Sequence, residues 1–183
     1  MAKNKSGYIS HLERMAILAM LVALEVVLSR FLSVYITQNL KFGFNFIPIA
    51  VAAYLYGPIA STLVGAMGDF IGAMLFPVGA YFPGFTLTAA LTGLIFGLLL
   101  YRRLNPPKFF GLYPVRIVLS VIIIQCLLTI FLDSLWLSIY YPQPYAALII
   151  QRTVKAGVMA GIQIASLVII IPVIKKISQS LRI

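Results

Sequence analysis

The stretch Ile117-Val-Leu-Ser-Val-Ile-Ile-Ile-Gln-Cys-Leu-Leu-Thr-Ile-Phe-Leu132 contains no charged residue. It lies within an apolar window from about Leu112 to Ile139, which is long enough to cross the hydrocarbon core of a bilayer as a helix. The rest of the chain is similar: 62% of its 183 residues are hydrophobic and 10% are charged. Because a soluble domain has about 25% charged residues, the composition excludes a water-soluble globular domain.

Five further apolar windows, separated by charge clusters and by Pro and Gly, predict a bundle of six transmembrane helices. Six spans of about 20 residues leave little chain beyond short connections and tails, so we expect no extramembrane catalytic domain. The predicted fold is an all-α integral membrane protein with one membrane domain, residues 1–183. The helices are expected at residues 12–34, 42–56, 59–76, 85–101, 112–139 and 146–174.

The cations indicate the orientation of the bundle. Of the 14 Lys and Arg residues, all but Arg30, Lys41, Arg152 and Lys155 fall on one side of the six spans. Cytoplasmic loops collect Lys and Arg, so both termini are predicted to be cytoplasmic. The basic N-terminus before an apolar stretch is similar to a signal peptide, but Glu25 and Arg30 interrupt the cleavage region, and we expect a first helix instead.

Charged residues within the predicted spans concentrate in the outer half of the bundle. A charge at a helix centre in the bilayer costs at least about 2.5 to 3.5 kcal/mol, so each needs a partner, an aqueous cavity or a route to the interface. We expect a polar cavity that opens outward above a closed inner floor. Structural ion pairs such as Asp133 with Arg152 are the alternative. The charged residues concerned are Glu25, Arg30, Asp69, Asp133, Arg152 and Lys155.

The residue types in this outer half suggest the chemistry of a ligand. Arg152 and Lys155 lie on one stripe of the sixth helix, where Arg offers a carboxylate a bidentate fork. Asp69 could accept two N–H bonds from the edge of a flat heterocycle. Aromatic residues on the same side could stack on such a ring, although an interfacial aromatic belt explains them equally well. These are Phe76, Tyr81, Phe82, Phe85, Trp136, Tyr140, Tyr141 and Tyr145.

Small residues at regular spacing predict close helix packing. The pairs Gly68 and Gly72, Gly93 and Gly97, and Gly157 and Gly161 are expected to pack helices inside the bundle. On the first helix, Ala16, Ala19 and Ala23 form a smooth stripe, which packs internally or docks another membrane protein.

The chain lacks the motifs of an enzyme or of a metal site. There is no GxxxxGK[ST] motif for ATP and no HExxH motif. The single cysteine, Cys126, excludes an intrachain disulfide, and His11 is expected to be solvated in an N-terminal tail. We therefore predict no enzymatic activity, no metal and no nucleic-acid partner.

Four blocks of sequence resemble the substrate-binding S components of energy-coupling factor (ECF) vitamin transporters, most nearly the folate-specific type. These blocks are Lys41-Phe-Gly-Phe-Asn-Phe-Ile-Pro-Ile-Ala50, Tyr56-Gly-Pro58, Gly65-Ala-Met-Gly-Asp69 and Gly79-Ala-Tyr-Phe-Pro-Gly-Phe-Thr-Leu-Thr-Ala89. The resemblance implies a multi-pass protein of the bacterial cell membrane that captures folate or a related pterin vitamin from outside. It also implies docking on a transmembrane coupling subunit with two cytoplasmic ATPases, which alone would use ATP.

The same resemblance implies roles for individual residues. Asn45 and Asp69 would bond the pterin, Tyr81, Phe82 and Trp136 would contact it, and Arg30, Arg152 and Lys155 would supply charge. The stripe of Ala16, Ala19 and Ala23 would face the coupling subunit. Because Arg30 lies on nearly the same face as Ala23, either the helix bends before it or the stripe stops lower down.

Three alternatives remain open at the level of sequence. One is a proton-coupled secondary carrier of a small organic anion that uses Glu25, Asp69 or Asp133 as the titrating group. Another is an S component for a different vitamin. The third is an assembly subunit that does not transport and uses only its small-residue stripes.

Overall fold

The computed structural model describes residues 5–37, 40–77, 80–101, 113–140 and 145–180. Within these residues, α5, a π-helical segment and α6 run on without a break as one long helix. In order, the elements are α1 (Lys5–Arg30), β1 (Val34–Thr37), β2 (Leu40–Phe42), α2 (Phe46–Tyr56), α3 (Pro58–Leu75), α4 (Pro83–Leu100), α5 (Tyr113–Ile123), the π-helical segment (Ile124–Leu132), α6 (Asp133–Tyr140) and α7 (Tyr145–Ser180).

Several of these helices are suited to a bilayer. In the described part of the chain, four stretches are long and apolar enough to cross a membrane: Pro58–Leu75, Pro83–Leu100, Pro114–Ile139 and Leu148–Ser178. The helix α2 is apolar but only 11 residues long. The last 18 residues of α1 include Glu13, Arg14, Glu25 and Arg30, which lower its apolar character. The structure is therefore that of a multi-pass membrane protein, whereas the count of six spans stays a prediction.

A short β-hairpin replaces the facing ends of the first two predicted helices. The strands β1 and β2 pair antiparallel, with Val34 opposite Phe42. Helix α1 thus ends four residues before the predicted boundary and α2 begins four residues after it. Strand β1 consists of β-branched and aromatic residues, which favour extended backbone. The Ser33 hydroxyl also bonds the carbonyls of Leu28 and Ser29, which satisfies orphan acceptors at the end of α1.

The first and fifth predicted helices differ from the prediction in further ways. Helix α1 begins at Lys5, so His11 is an exposed helical residue and not part of a tail. The predicted fifth helix changes to i→i+5 hydrogen bonding over Ile124–Leu132. That segment contains neither Gly nor Pro, so its sequence carries no sign that would have distinguished it from an α-helix.

The tightest helix pair is α3 with α4, and glycine permits it. A Cβ atom on Gly65 would meet the Ala89 carbonyl, one on Gly93 the Ser61 carbonyl, and one on Gly97 the Pro58 backbone. The Ser61 hydroxyl donates to the Gly93 carbonyl over 2.7 Å, a contact that requires the two backbones to be close. The predicted packing role of Gly93 and Gly97 is confirmed by these contacts.

The pair Gly157 and Gly161, in contrast, does not pack inside the bundle. Both glycines are exposed on α7, and a Cβ atom on either would have no described atom within 4 Å. The prediction of internal packing is wrong for this pair. The spacing of two glycines shows that one helix face lacks large side chains, but not whether that face points into the bundle. Which side of α7 faces the bundle is decided by its buried residues, including Arg152, Met159 and Gln163.

Gly93→Ala is expected to lower the melting temperature of the purified protein, whereas Gly161→Ala is expected to leave it unchanged or raise it slightly. The added methyl at Gly93 would lie within 2.7 Å of the Thr62 nitrogen, and overpacking of this kind costs about 1 to 3 kcal/mol. At Gly161 the methyl meets nothing described within 4 Å, and Ala is favoured over Gly in a helix by about 1 kcal/mol. Thermal unfolding in detergent checks both variants, and equal effects would contradict the packing assignment.

Candidate ligand-binding site

Polar side chains concentrate at one end of the bundle. This end, which we call the polar end, is formed by the C-termini of α1 and α3, the N-termini of α2, α4 and α7, and helix α6. Two ion pairs and a group of aromatic rings connect these elements. The polar residues there are Arg30, Asn45, Asp69, Thr86, Thr88, Asp133, Ser134, Arg152 and Lys155.

The first ionic cluster joins α1, α3 and α4 around Asp69. Arg30 Nη2 lies 3.8 Å from Asp69 Oδ1 and donates to the Asp69 carbonyl oxygen over 3.4 Å. The Thr86 hydroxyl donates to Asp69 Oδ2 over 2.8 Å and lies 3.1 Å from the Tyr81 hydroxyl. Asp69 is thus held in one orientation, yet its side chain is 26% exposed. A carboxylate has about four acceptor positions, so it can accept further hydrogen bonds.

Two glycines of α3 admit the charged side chains of α1. The fully buried Glu25 packs its carboxylate against Gly68, and a Cβ atom on Gly72 would lie 2.8 Å from Arg30 Nε. Helix α1 continues without interruption to Arg30, whose long side chain turns toward α3. The side chain of Arg30 thus contacts α3, although its position along the helix lies near the face that carries Ala23.

The second ionic cluster joins α6, α7 and the π-helical segment. Arg152 Nη1 lies 3.1 Å from Asp133 Oδ2 and donates to the Thr129 carbonyl over 3.3 Å. The two side chains are 7% and 17% exposed, respectively. The Thr88 hydroxyl and the half-buried Lys155 lie near Asp133. The internal pair that the sequence left open as an alternative is therefore present.

Aromatic rings lie between the two clusters. Phe82 is 5.7 Å from Trp136 and 5.9 Å from Phe85, measured between ring centroids. Gly84 allows this approach, since a Cβ atom there would be 2.7 Å from the indole Cδ2. Tyr81 makes an edge contact with Phe70 at 5.7 Å. The first turns of α4 thus carry aromatic rings, one hydroxyl toward Asp69 and one toward Asp133.

Several buried donors at the polar end have no hydrogen-bond partner among the described residues. They are Arg30 Nε, Ser134 Oγ, Trp136 Nε1 and Arg152 Nε. Buried polar groups in folded proteins are nearly always paired, so a cluster of orphans calls for an explanation. A polar ligand with several acceptors would satisfy them. Within the described ranges, no group of three or more His, Cys, Asp or Glu side chains could hold a metal ion.

The predicted site residues all lie at the polar end, but they differ in their burial and in their hydrogen-bond partners. Asn45 is half-buried at the start of α2, and its side chain makes no capping hydrogen bond there. Thr86, Thr88 and Ser134 were missed by sequence reasoning. The one available signal was the Thr-Leu-Thr spacing at the start of α4, which places two hydroxyls on opposite sides of a helix.

Known proteins are similar to this chain in sequence and in fold. A model of the family described as ECF transporter, substrate-specific component matches residues 13–171. A protein named Folate transporter FolT from Clostridium novyi (strain NT) is 37% identical over 145 residues, which are 79% of this chain and 80% of the relative. Another of that name, from Leuconostoc mesenteroides subsp. mesenteroides, is 35% identical over 153 residues, 81% of this chain and 78% of the relative.

Solved structures agree with the sequence relatives. A crystal structure of FolT bound with folic acid matches with a TM-score of 0.73 at 34% identity, covering 83% of this chain and 90% of the other. The resemblance noted from the four sequence blocks is thereby confirmed. This chain belongs to the family of ECF transporter substrate-specific components.

Proposed function

We propose that this protein is the folate-binding S component of an ECF-type ABC transporter in a bacterial cell membrane. It captures folate from outside and delivers it inward when docked on a coupling subunit with two ATPases. The observation that carries the proposal is the similarity in sequence and fold to FolT, including the structure bound with folic acid. Six spans, a single membrane domain and cytoplasmic termini belong to the proposal. The six apolar windows support the spans, and the distribution of Lys and Arg supports the orientation of the termini.

The polar end fits the chemistry of folate, which combines a flat pterin with a glutamate tail. Asp69 keeps acceptor positions for the pterin N–H groups, and Asn45 can both donate and accept. Aromatic contact comes from Tyr81, Phe82 and Trp136. Arg30, Arg152 and Lys155 supply charge: Arg30 lies 3.8 Å from Asp69, beside the pterin, and the tail carboxylates are assigned to Arg152, whose Nε has no described partner, and to Lys155.

The alanine stripe of α1 supports docking to the coupling subunit. Ala16, Ala19 and Ala23 are exposed on the outside of the described bundle. Small side chains allow a neighbouring helix to approach closely in lipid, where no hydrophobic drive assists association. Transport energy then comes from the partner ATPases, and this chain acts as a binding subunit without enzymatic activity or a cofactor of its own.

Tryptophan fluorescence tests the ligand assignment directly. Trp136 is the only tryptophan, and its ring contacts Phe82 in the aromatic group. Titration of the protein in detergent with folate should give saturable quenching, and titration with riboflavin and with thiamine should not. No response to folate from a protein shown to be folded by its thermal transition would contradict the proposal. Saturable quenching by either control vitamin would reassign the ligand.

A proton-coupled carrier is the second candidate, because Glu25 of α1 is a fully buried carboxyl group. That function predicts uptake by liposomes that contain this chain alone and follow an imposed pH gradient. The S-component function predicts binding without accumulation until the coupling subunit, the ATPases and ATP are present. Reconstitution with and without the partner subunits therefore separates the two.

A further inference from the structure

An amide pair lies deep in the bundle, away from the polar end. Gln125 Nε2 donates to Gln163 Oε1 over 3.0 Å, and the two residues are only 5% and 7% exposed. Along α7, Gln163 is 11 residues from Arg152, or about 16 Å at the rise of an α-helix. The amide pair therefore lies well away from the ion pair of Arg152 and Asp133.

Among the described residues, three side chains of α7 form hydrogen bonds to the π-helical segment, and the amide pair supplies one of these hydrogen bonds. It lies at the beginning of that segment. Near its end, Arg152 donates to the Thr129 carbonyl over 3.3 Å, and the Tyr145 hydroxyl donates to the Phe131 carbonyl over 3.4 Å. Because π-helical backbone is rare beyond a single turn, the nine residues Ile124–Leu132 need such tertiary support.

The segment so supported leads directly into the candidate site. Asp133 and Trp136 of α6 contact other elements of the polar end, through Arg152 and Phe82 respectively. A π-helical turn contains more residues than an α-helical turn. Relaxation of the segment to α-helix would therefore rotate and shift α6, moving Asp133 away from Arg152 and Trp136 away from Phe82.

We propose that Gln125 and Gln163 are positioning residues for ligand binding. Their hydrogen bond fixes the register of the π-helical segment on α7, and this register sets the places of Asp133, Trp136 and Arg152. On α7 the buried residues Arg152, Met159 and Gln163 lie along one stripe, so one helix face carries both the amide and the guanidinium. The inference rests on the proposed function, since the affinity for folate is its readout.

The test compares Gln125→Leu, Gln163→Leu and the double variant. Each single change leaves one buried amide unpaired, so both should lower the melting temperature and weaken folate binding. The double variant removes both amides and should regain most of the melting temperature, because replacing both partners by apolar groups is nearly neutral. Its dissociation constant for folate should stay about tenfold weaker, within the coupling range of residues in one network. Calorimetric titration and thermal unfolding in detergent measure both quantities.

Ser61→Ala is the matched control. It removes another buried hydrogen bond between helices, from the Ser61 hydroxyl to the Gly93 carbonyl, which lies outside the candidate site. This variant should lose stability and keep the wild-type affinity for folate. If the double glutamine variant remains unstable, its affinity for folate is compared with that of Ser61→Ala at a similar loss of melting temperature. A weaker affinity in the glutamine variant alone would then indicate positioning and not a general loss of stability.

Any of three results would overturn the positioning role. The first is wild-type affinity for folate in the double variant, and the second is a loss of affinity in Ser61→Ala that parallels its loss of stability. The third is an unchanged Trp136 emission spectrum in the double variant without ligand. The last measurement needs no folate. Failure of the wild-type protein to bind folate would instead refute the proposed function, and the Trp136 spectrum would still decide the positioning role.

Discussion

Arg152→Ala is expected to weaken folate binding by about a hundredfold and to weaken binding of the isolated pterin fragment much less. Truncating one partner of a buried, hydrogen-bonded charge pair costs about 2 to 5 kcal/mol, and the assigned partner is the tail carboxylate that the fragment lacks. Calorimetric titration of the variant with folate and with the fragment gives the two losses. Equal losses for both ligands would contradict the assignment of Arg152 to the tail.

Two further variants separate binding from stability. Arg152→Ala leaves Asp133 without its partner at 3.1 Å, and breaking a buried ion pair in this way costs about 3 to 5 kcal/mol of stability. Combining it with Asp133→Asn removes the uncompensated charge and should recover part of the melting temperature, while folate binding stays weak. Arg152→Lys keeps the charge without the planar fork, so its affinity for folate should fall between those of the wild type and Arg152→Ala.

Replacing Ala19 and Ala23 together with Leu is expected to abolish transport by the assembled complex and to leave folate binding by the isolated protein unchanged. Both alanines lie on the exposed face of α1. Larger side chains there would hold the backbone of a docking helix away, which removes the close packing that drives association in lipid. ATP-dependent uptake by proteoliposomes and titration of the isolated variant measure the two properties.

Met20→Leu is the matched control for this experiment. Met20 is 72% exposed on the same helix, one position beyond Ala19. The change keeps the size of the side chain, so transport and binding should both persist. Loss of folate binding in the isolated Ala19 and Ala23 variant would show that the stripe packs within the bundle and would refute the docking role.

The helices were predictable from sequence because their ends are punctuated. Gly57, at a φ of +89°, and Pro58 separate α2 from α3, and Pro83 begins α4. The hairpin was not predictable, since a short apolar run such as Val34–Thr37 fits a strand or the last turn of a helix equally well. Spacing was also insufficient for glycine pairs: Gly93 meets backbone, whereas Gly161 meets no described atom within 4 Å.

The charged residues of the candidate site and the aromatic pair of Phe82 and Trp136 were predictable, whereas the hydroxyls were not. The cost of a charge in a bilayer singled out Arg30, Asp69, Asp133 and Arg152, and the structure brings these residues together as two ion pairs. A hydroxyl gives no such signal, because it can bond its own helix. Thr88, for example, donates to the Gly84 carbonyl four residues earlier. The contribution of hydroxyls to the site depends on which neighbour the tertiary fold places opposite them.

The Asp133 and Arg152 pair also has a consequence for the unloaded protein. Burying a guanidinium in a low-dielectric environment without a counter-ion carries a large desolvation free energy. Here the counter-ion is built in, 3.1 Å away. In the proposed function, the tail carboxylate would approach Arg152 Nε, which has no described partner, while Nη1 keeps its bond to Asp133. The guanidinium would then have a counter-ion both with and without the ligand.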